Sequence, residues 1–202
     1  MGSGPVGAQA PAGSSDKPEA LIPSPDELPP VLAGDVHASG VFPVADDALC
    51  PADAECIFGG GGGLGGGIER RWPSGYAMGV GYDFWFLDAN GVYEITVLQM
   101  VSLGVRYFFL PKLQSHPFIG GRIGGLVLGD TFKVDSVGAA AQLRAGVEIE
   151  ITDTVAFSVA SAWRLFFASA FTTPNDGVER AQGGGVSVAG TLQFGLSILE
   201  EP

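Results

Sequence analysis

The chain has 202 residues, 22 of them acidic and 10 basic, for a formal charge of -12. That balance disfavours nucleic-acid binding, and the length suits one domain plus a tail. Hydrophobic residues make up 46% of the chain, yet no stretch resembles an 18-residue apolar helix, so a helical membrane span is excluded.

Residues 1–32 are rich in Pro, Ala, Gly and Ser, and include PSPDELPP. Such a segment has nothing to bury and is expected to be a disordered arm. Up to Asp53 the chain holds eight acidic residues and one lysine, Lys17, so the charge excess sits at the front. The opening MGSGPVGAQAPAGSSDKPE has neither a basic n-region nor an apolar h-region. No export signal is visible, and the start reads as a mature or recombinant form.

Within 31–44, the run Val36-His-Ala-Ser-Gly-Val-Phe can supply a short strand. Residues 45–55 then form a loop. Cys50 and Cys56 flank five residues and can close one small disulfide loop in an oxidising compartment; a pair of free thiols is the other reading. Neither histidine, His37 or His116, lies near the pair, so no metal site is expected. Next comes Phe-Gly-Gly-Gly-Gly-Gly-Leu-Gly-Gly-Gly-Ile. It lacks a Gly-Lys-Ser/Thr ending and a strand-to-helix context, so it is not read as a phosphate loop. As part of a strand over 56–70, its inward glycines would leave room for long arginines.

Period-two alternation then marks strands at about 75–87, 92–110, 117–129, 136–151, 154–171 and 184–199. In the last, Val186, Val188, Leu192, Phe194, Leu196 and Ile198 share one face, opposite Ser187, Ala189, Thr191, Gln193 and Ser197. Turn signals separate the runs, among them Trp72-Pro73-Ser74-Gly75 and Thr152-Asp153-Thr154. These segments and the Gly-rich one number seven. Single-chain outer-membrane barrels use an even number, which demands the strand before Cys50. The expected fold is therefore an all-β, eight-stranded, antiparallel up-and-down transmembrane barrel over 33–199.

The apolar faces carry Trp163, Phe157, Phe194, Tyr82, Phe84 and Phe109; the opposite faces carry Gly, Ala, Ser and single charges. A water-facing surface with so few lysines would be unusual, whereas a membrane barrel is apolar outside and polar inside. The predicted inner faces hold Glu69, Asp83, Arg106, Arg122, Arg144, Glu148, Glu150 and Arg164. Four acids and four arginines can form a luminal charge network, with Arg144 expected to pair with Glu148 or Glu150. Aromatic residues near strand ends, including Trp72, Tyr76, Trp85, Phe86, Phe166 and Phe171, are expected at the membrane interfaces.

Segments such as Gly79-Val-Gly-Tyr-Asp-Phe-Trp-Phe, Ser102-Leu-Gly-Val-Arg-Tyr-Phe-Phe and Leu192-Gln-Phe-Gly-Leu resemble the small bacterial outer-membrane β-barrel family. Members of that family resemble the transmembrane domain of outer membrane protein A. The family usually ends its last strand on an aromatic residue read by the assembly machinery, whereas this chain ends Leu-Ser-Ile-Leu-Glu-Glu-Pro. The resemblance implies a bacterial outer-membrane location and a structural or adhesive role. The partners it implies are outer-membrane lipids and the outer-membrane assembly machinery. Eight strands leave a lumen that side chains can fill, so a narrow gated pore is the alternative to a structural role. A soluble ligand-binding barrel would instead hold its apolar faces inward. A monomer without cofactor or nucleic acid is expected. No catalytic constellation is expected either, because His116 beside Pro117 reads as a turn residue and His37 has no evident nucleophile.

Overall fold

The alternation is realised as long strands that close on themselves. The computed structural model describes residues 29–45, 48–110, 113–131, 133–182 and 185–200. The expected arm therefore lies outside the described residues up to position 28. Its last two positions, Val31 and Leu32, already belong to the first strand.

In chain order the strands are β1 (Val31–Ala45), β2 (Gly61–Arg71), β3 (Tyr76–Leu87), β4 (Thr96–Phe108), β5 (Ser115–Asp130), β6 (Lys133–Thr152), β7 (Val155–Ala168), the two short strands β8 (Phe171–Thr172) and β9 (Glu179–Arg180), and β10 (Val186–Glu200). The eight long ones build the barrel. Their order is β1-β10-β7-β6-β5-β4-β3-β2, closed, and every pairing is antiparallel. The strand demanded by parity is the seam, since β1 pairs with both β2 and β10. Closure leaves no unpaired sheet edge, the condition for placing strands in hydrocarbon. Pro43 has no amide hydrogen for the ladder, and the register of β1 against β10 shifts between it and Ala45.

Three boundaries differ from the sequence reading. Cys56–Gly60 stay in the first loop, so β2 begins five residues later than expected. Val92–Ile95 also belong to a loop, and β4 starts at Thr96. Phe171 leaves β7 and joins the small ribbon of β8 and β9, inside the last long loop. The connections after β1, β3, β5 and β7 lie at one end, which we label the outer end. Short turns close the other: Gly75, at φ +90°, ends the β2–β3 turn, where Gly75 N donates to the Trp72 carbonyl.

The large apolar side chains point outward. Ile123, Leu64 and Val36 are 68%, 67% and 63% exposed, and every barrel strand contributes to this belt. That orientation excludes the soluble barrel with an apolar cavity. Two of its polar groups satisfy each other: the Tyr82 hydroxyl donates to Gln99 Oε1 at 2.8 Å. At the turn end Tyr76, Tyr107 and Phe109 form a chain of rings with centroids 4.9 and 5.0 Å apart, as expected of an aromatic girdle. Trp85, Phe166 and Phe171 do not join a girdle. They are buried inside the molecule, which corrects their expected interfacial placement.

Candidate functional site

Inside the barrel, two regions of opposite character are stacked. The outer half is an apolar core. Val41, Leu87, Leu98, Met100, Leu126 and Leu128 point in from the strands and meet Leu49, Ile57, Phe58 and Val92 of the loops. The sequence reading expected Gly, Ala, Ser and single charges on inner faces throughout. The signal for the difference is visible in Val97-Leu98 and Leu126-Val127-Leu128, where consecutive apolar residues break the alternation because both faces are buried.

Loop-to-loop hydrogen bonds hold this cap together. Gly59 N donates to the Asp88 carbonyl at 2.7 Å, and Asn90 Nδ2 to the Cys56 carbonyl at 2.9 Å. Cys50 and Cys56 are joined in a disulfide. Arg180 is fully buried and ties the ribbon to the first loop: Nη1 donates to the Leu49 carbonyl at 2.7 Å and Nη2 to Asp176 Oδ2 at 2.6 Å. Slight burial opposes ionisation of Asp176. Hydrogen bonds from Thr173 and Val178 and the Arg180 guanidinium outweigh it and hold the carboxyl below its ordinary 3.8.

Trp85 is the floor of the apolar region. Its ring contacts Phe166, with centroids 6.4 Å apart, and its indole N–H donates to Ser39 Oγ at 2.9 Å. The Arg164 guanidinium lies 4.1 Å from its ring centroid, a cation–π contact at the junction with the charged region.

Below Trp85 the inward positions carry charge in two tiers. In the upper tier His37 donates from Nε2 to Asp83 Oδ1 at 2.7 Å and from Nδ1 to Asp35 Oδ2 at 3.3 Å. Arg122 lies 3.8 Å from Asp83 and 3.9 Å from Asp35, and Arg164 lies 3.7 Å from Asp83. In the lower tier Arg71 donates to Glu69 at 2.6 Å and, through both terminal nitrogens, to Glu148 at 2.5 and 3.0 Å. Arg106 Nε donates to Glu69 Oε2 at 2.8 Å. Phe108 and Phe118 lie against these guanidiniums. Glycine makes this packing possible. A Cβ at Gly81 or Gly104 would come within 2.5 Å of the Arg122 side chain.

Of the eight charged residues read from the sequence, Asp83, Arg122 and Arg164 meet in the upper tier and Glu69, Arg106 and Glu148 in the lower. Glu150 sits apart at the turn-end mouth, where His116 Nε2 donates to it at 2.9 Å. His116 is therefore an inward strand residue rather than a turn residue. Arg144 is buried but pairs with neither Glu148 nor Glu150, contrary to expectation. Its contact is with the Phe118 ring, 5.6 Å away. Asp35, His37 and Arg71 were missed. Period two from Ser39 reaches His37 and Asp35, so applying the alternation within 31–44 would have found both, and period two from Glu69 reaches Arg71, one residue past the expected strand end.

No protein-family model and no curated protein matches the sequence. Among solved structures, the chain is similar to Neisserial surface protein A, with a TM-score of 0.56 and 13% identity over 83% of this chain and 96% of that one. It is similar to the outer membrane protein OprG from Pseudomonas aeruginosa, at 0.56 and 9% over 88% and 99%. It is also similar to the outer membrane protein AlkL, whose structure was determined in DMPC lipid bilayers, at 0.55 and 11% over 98% of each chain. The chain thus has the fold of the small eight-stranded outer-membrane β-barrels.

Proposed function

We propose that this protein is a structural barrel of a bacterial outer membrane, with a lumen filled by side chains and with loops presented at the cell exterior. The observation that carries this reading is the filling of the lumen at successive heights. The apolar core and capped loops occupy the outer half, and paired charges occupy the half below. Eight strands enclose a width that side chains can span, so no open path is needed to account for the fold. Lipids cover the apolar outer belt, the assembly machinery inserts the chain, and the barrel acts as a monomer without nucleic acid or cofactor.

A catalytic role is not part of the proposal. His37 uses both ring nitrogens on carboxylates, leaving neither to activate a nucleophile. His116 is engaged by Glu150 and the Leu110 carbonyl.

Two measurements test the reading. In detergent micelles the folded chain is expected to run as a heat-modifiable monomer with β-type circular dichroism. A folded monomer in plain buffer would remove the membrane assignment. Reconstituted in a planar bilayer, it is expected to be silent; sustained conductance would replace the filled lumen with the narrow-pore reading.

A further inference from the structure

The buried charges of the two tiers do not balance. Four carboxylates, Asp35, Glu69, Asp83 and Glu148, face five guanidiniums, those of Arg71, Arg106, Arg122, Arg144 and Arg164. His37, which donates from both ring nitrogens and is therefore an imidazolium, adds a sixth cation and no acceptor. Glu150 lies at the mouth with His116. The cation left without a partner is Arg144, 6% exposed, with no carboxylate within 4 Å among the described residues. An isolated buried charge is unstable in a low-dielectric interior unless a counter-charge meets it.

The residues around Arg144 are arranged to receive one. Gln142 lies two positions before it on the same face of β6. Its cross-strand neighbours are Arg122 on β5 and Arg164 on β7. Three guanidinium-bearing positions therefore surround one neutral amide. Gln142 is buried, and among the described residues neither its amide nitrogen nor its amide oxygen has a protein partner. Arg144 Nε, the three Arg164 nitrogens and Thr191 Oγ1 likewise lack a hydrogen-bond acceptor or donor from the protein. The cross-strand neighbours of Arg144 are Gly120 and Ala162, and the Arg106 side chain lies over Gly120. Thr191 lies beyond Ala162. Asp35 Oδ1 and Asp83 Oδ2 are unpartnered acceptors but stay 3.9 and 3.8 Å from Arg122, beyond hydrogen-bond reach, so the buried donors call for an acceptor from outside the chain.

We propose that the lumen binds one small inorganic anion of chloride size, held between Arg144, Arg164, Arg122 and the Gln142 amide. It would offset the unpartnered charge of Arg144 and accept from the unpartnered donors. The site rests on the reading of the lumen as filled and closed at its outer end, and it makes the anion a structural component of the polar half.

The test uses the full chain refolded in micelles at increasing sodium chloride, with sodium gluconate holding ionic strength constant. The urea midpoint is expected to rise with each tenfold increase in chloride, as binding to the folded state alone requires. In Arg144→Met that slope is expected to vanish. In Gln142→Glu, a carboxylate placed among the same three arginines should replace the ion. That variant is expected to have a flat chloride response and, without chloride, a higher midpoint than the parent. A parent midpoint indifferent to chloride, with Gln142→Glu no more stable, overturns the site and assigns the donors to water. A slope that persists in both variants overturns it as well. Bilayer conductance is a separate readout, so failure of the anion site and failure of the filled-lumen reading can be told apart.

Discussion

The two halves of the lumen solve one packing problem by opposite means. Above Trp85, the interior resembles the core of a soluble protein: aliphatic and aromatic side chains, contributed by strands and loops alike, with ring contacts such as Phe58–Phe166 at 5.5 Å. Below it, the interior is made of guanidiniums and carboxylates that pair across the barrel. The apolar half is non-directional and tolerates change in proportion to volume lost. The charged half is directional, and its members depend on one another. A fold whose outer surface must be apolar for lipid can therefore use either kind of filling inside.

The difference makes the consequences of substitution unequal. The largest effect is expected from Trp85→Ala, which opens a cavity at the junction and removes the Arg164 contact and the Ser39 bond. A loss of about 4 kcal/mol in urea unfolding from micelles is expected. Glu148→Ala leaves both terminal nitrogens of Arg71 without their acceptor and should cost about 3 kcal/mol. Pairing it with Arg71→Leu sharpens the contrast. Most of the loss should then be recovered, because Arg106 still serves Glu69 and no new lone charge is created. A double variant no better than Glu148→Ala would show that the lower tier is not organised as pairs.

Removing the loop cross-link with Cys50→Ser and Cys56→Ser probes the apolar half from its loop side. Only a short segment is closed, so a cost of about 2 kcal/mol is expected in the same unfolding measurement. A change in the charge-tier contacts, read from backbone amide shifts of β2 and β6, would contradict the independence of the halves. The smallest effect is expected from acid acting on Asp176. Its folded pKa is depressed, so its contribution is present above the unfolded value near 3.8 and is lost as pH falls through the folded one. The protection factors of the Thr173 and Gly177 amides, corrected for the slower intrinsic exchange in acid, should fall at pH 2.5 relative to pH 5, while those of β4 and β5 amides hold.

Much of the candidate site was legible in the sequence as a list but not as a set of pairs. Glu69, Asp83, Arg106, Arg122, Glu148 and Arg164 are all inward by alternation alone, and all lie in one tier or the other. Arg144 could be placed inward in the same way, yet its partner could not be named. Partners such as Arg71 and Glu148 are 77 residues apart and meet across the lumen rather than along a ladder.

What the amino-acid sequence determined by itself was local: period-two strands, the turns between them, and a face of large apolar residues opposite a face of small and charged ones. These follow from backbone geometry and side-chain type, which need no distant contact. Parity then called for the seam strand before Cys50. Only the tertiary structure decided which interior height is apolar and which is charged, and where Trp85 divides them. It also decided that Arg144 is left over. Those depend on how far each strand is staggered when the sheet closes, and stagger is a property of all eight strands together.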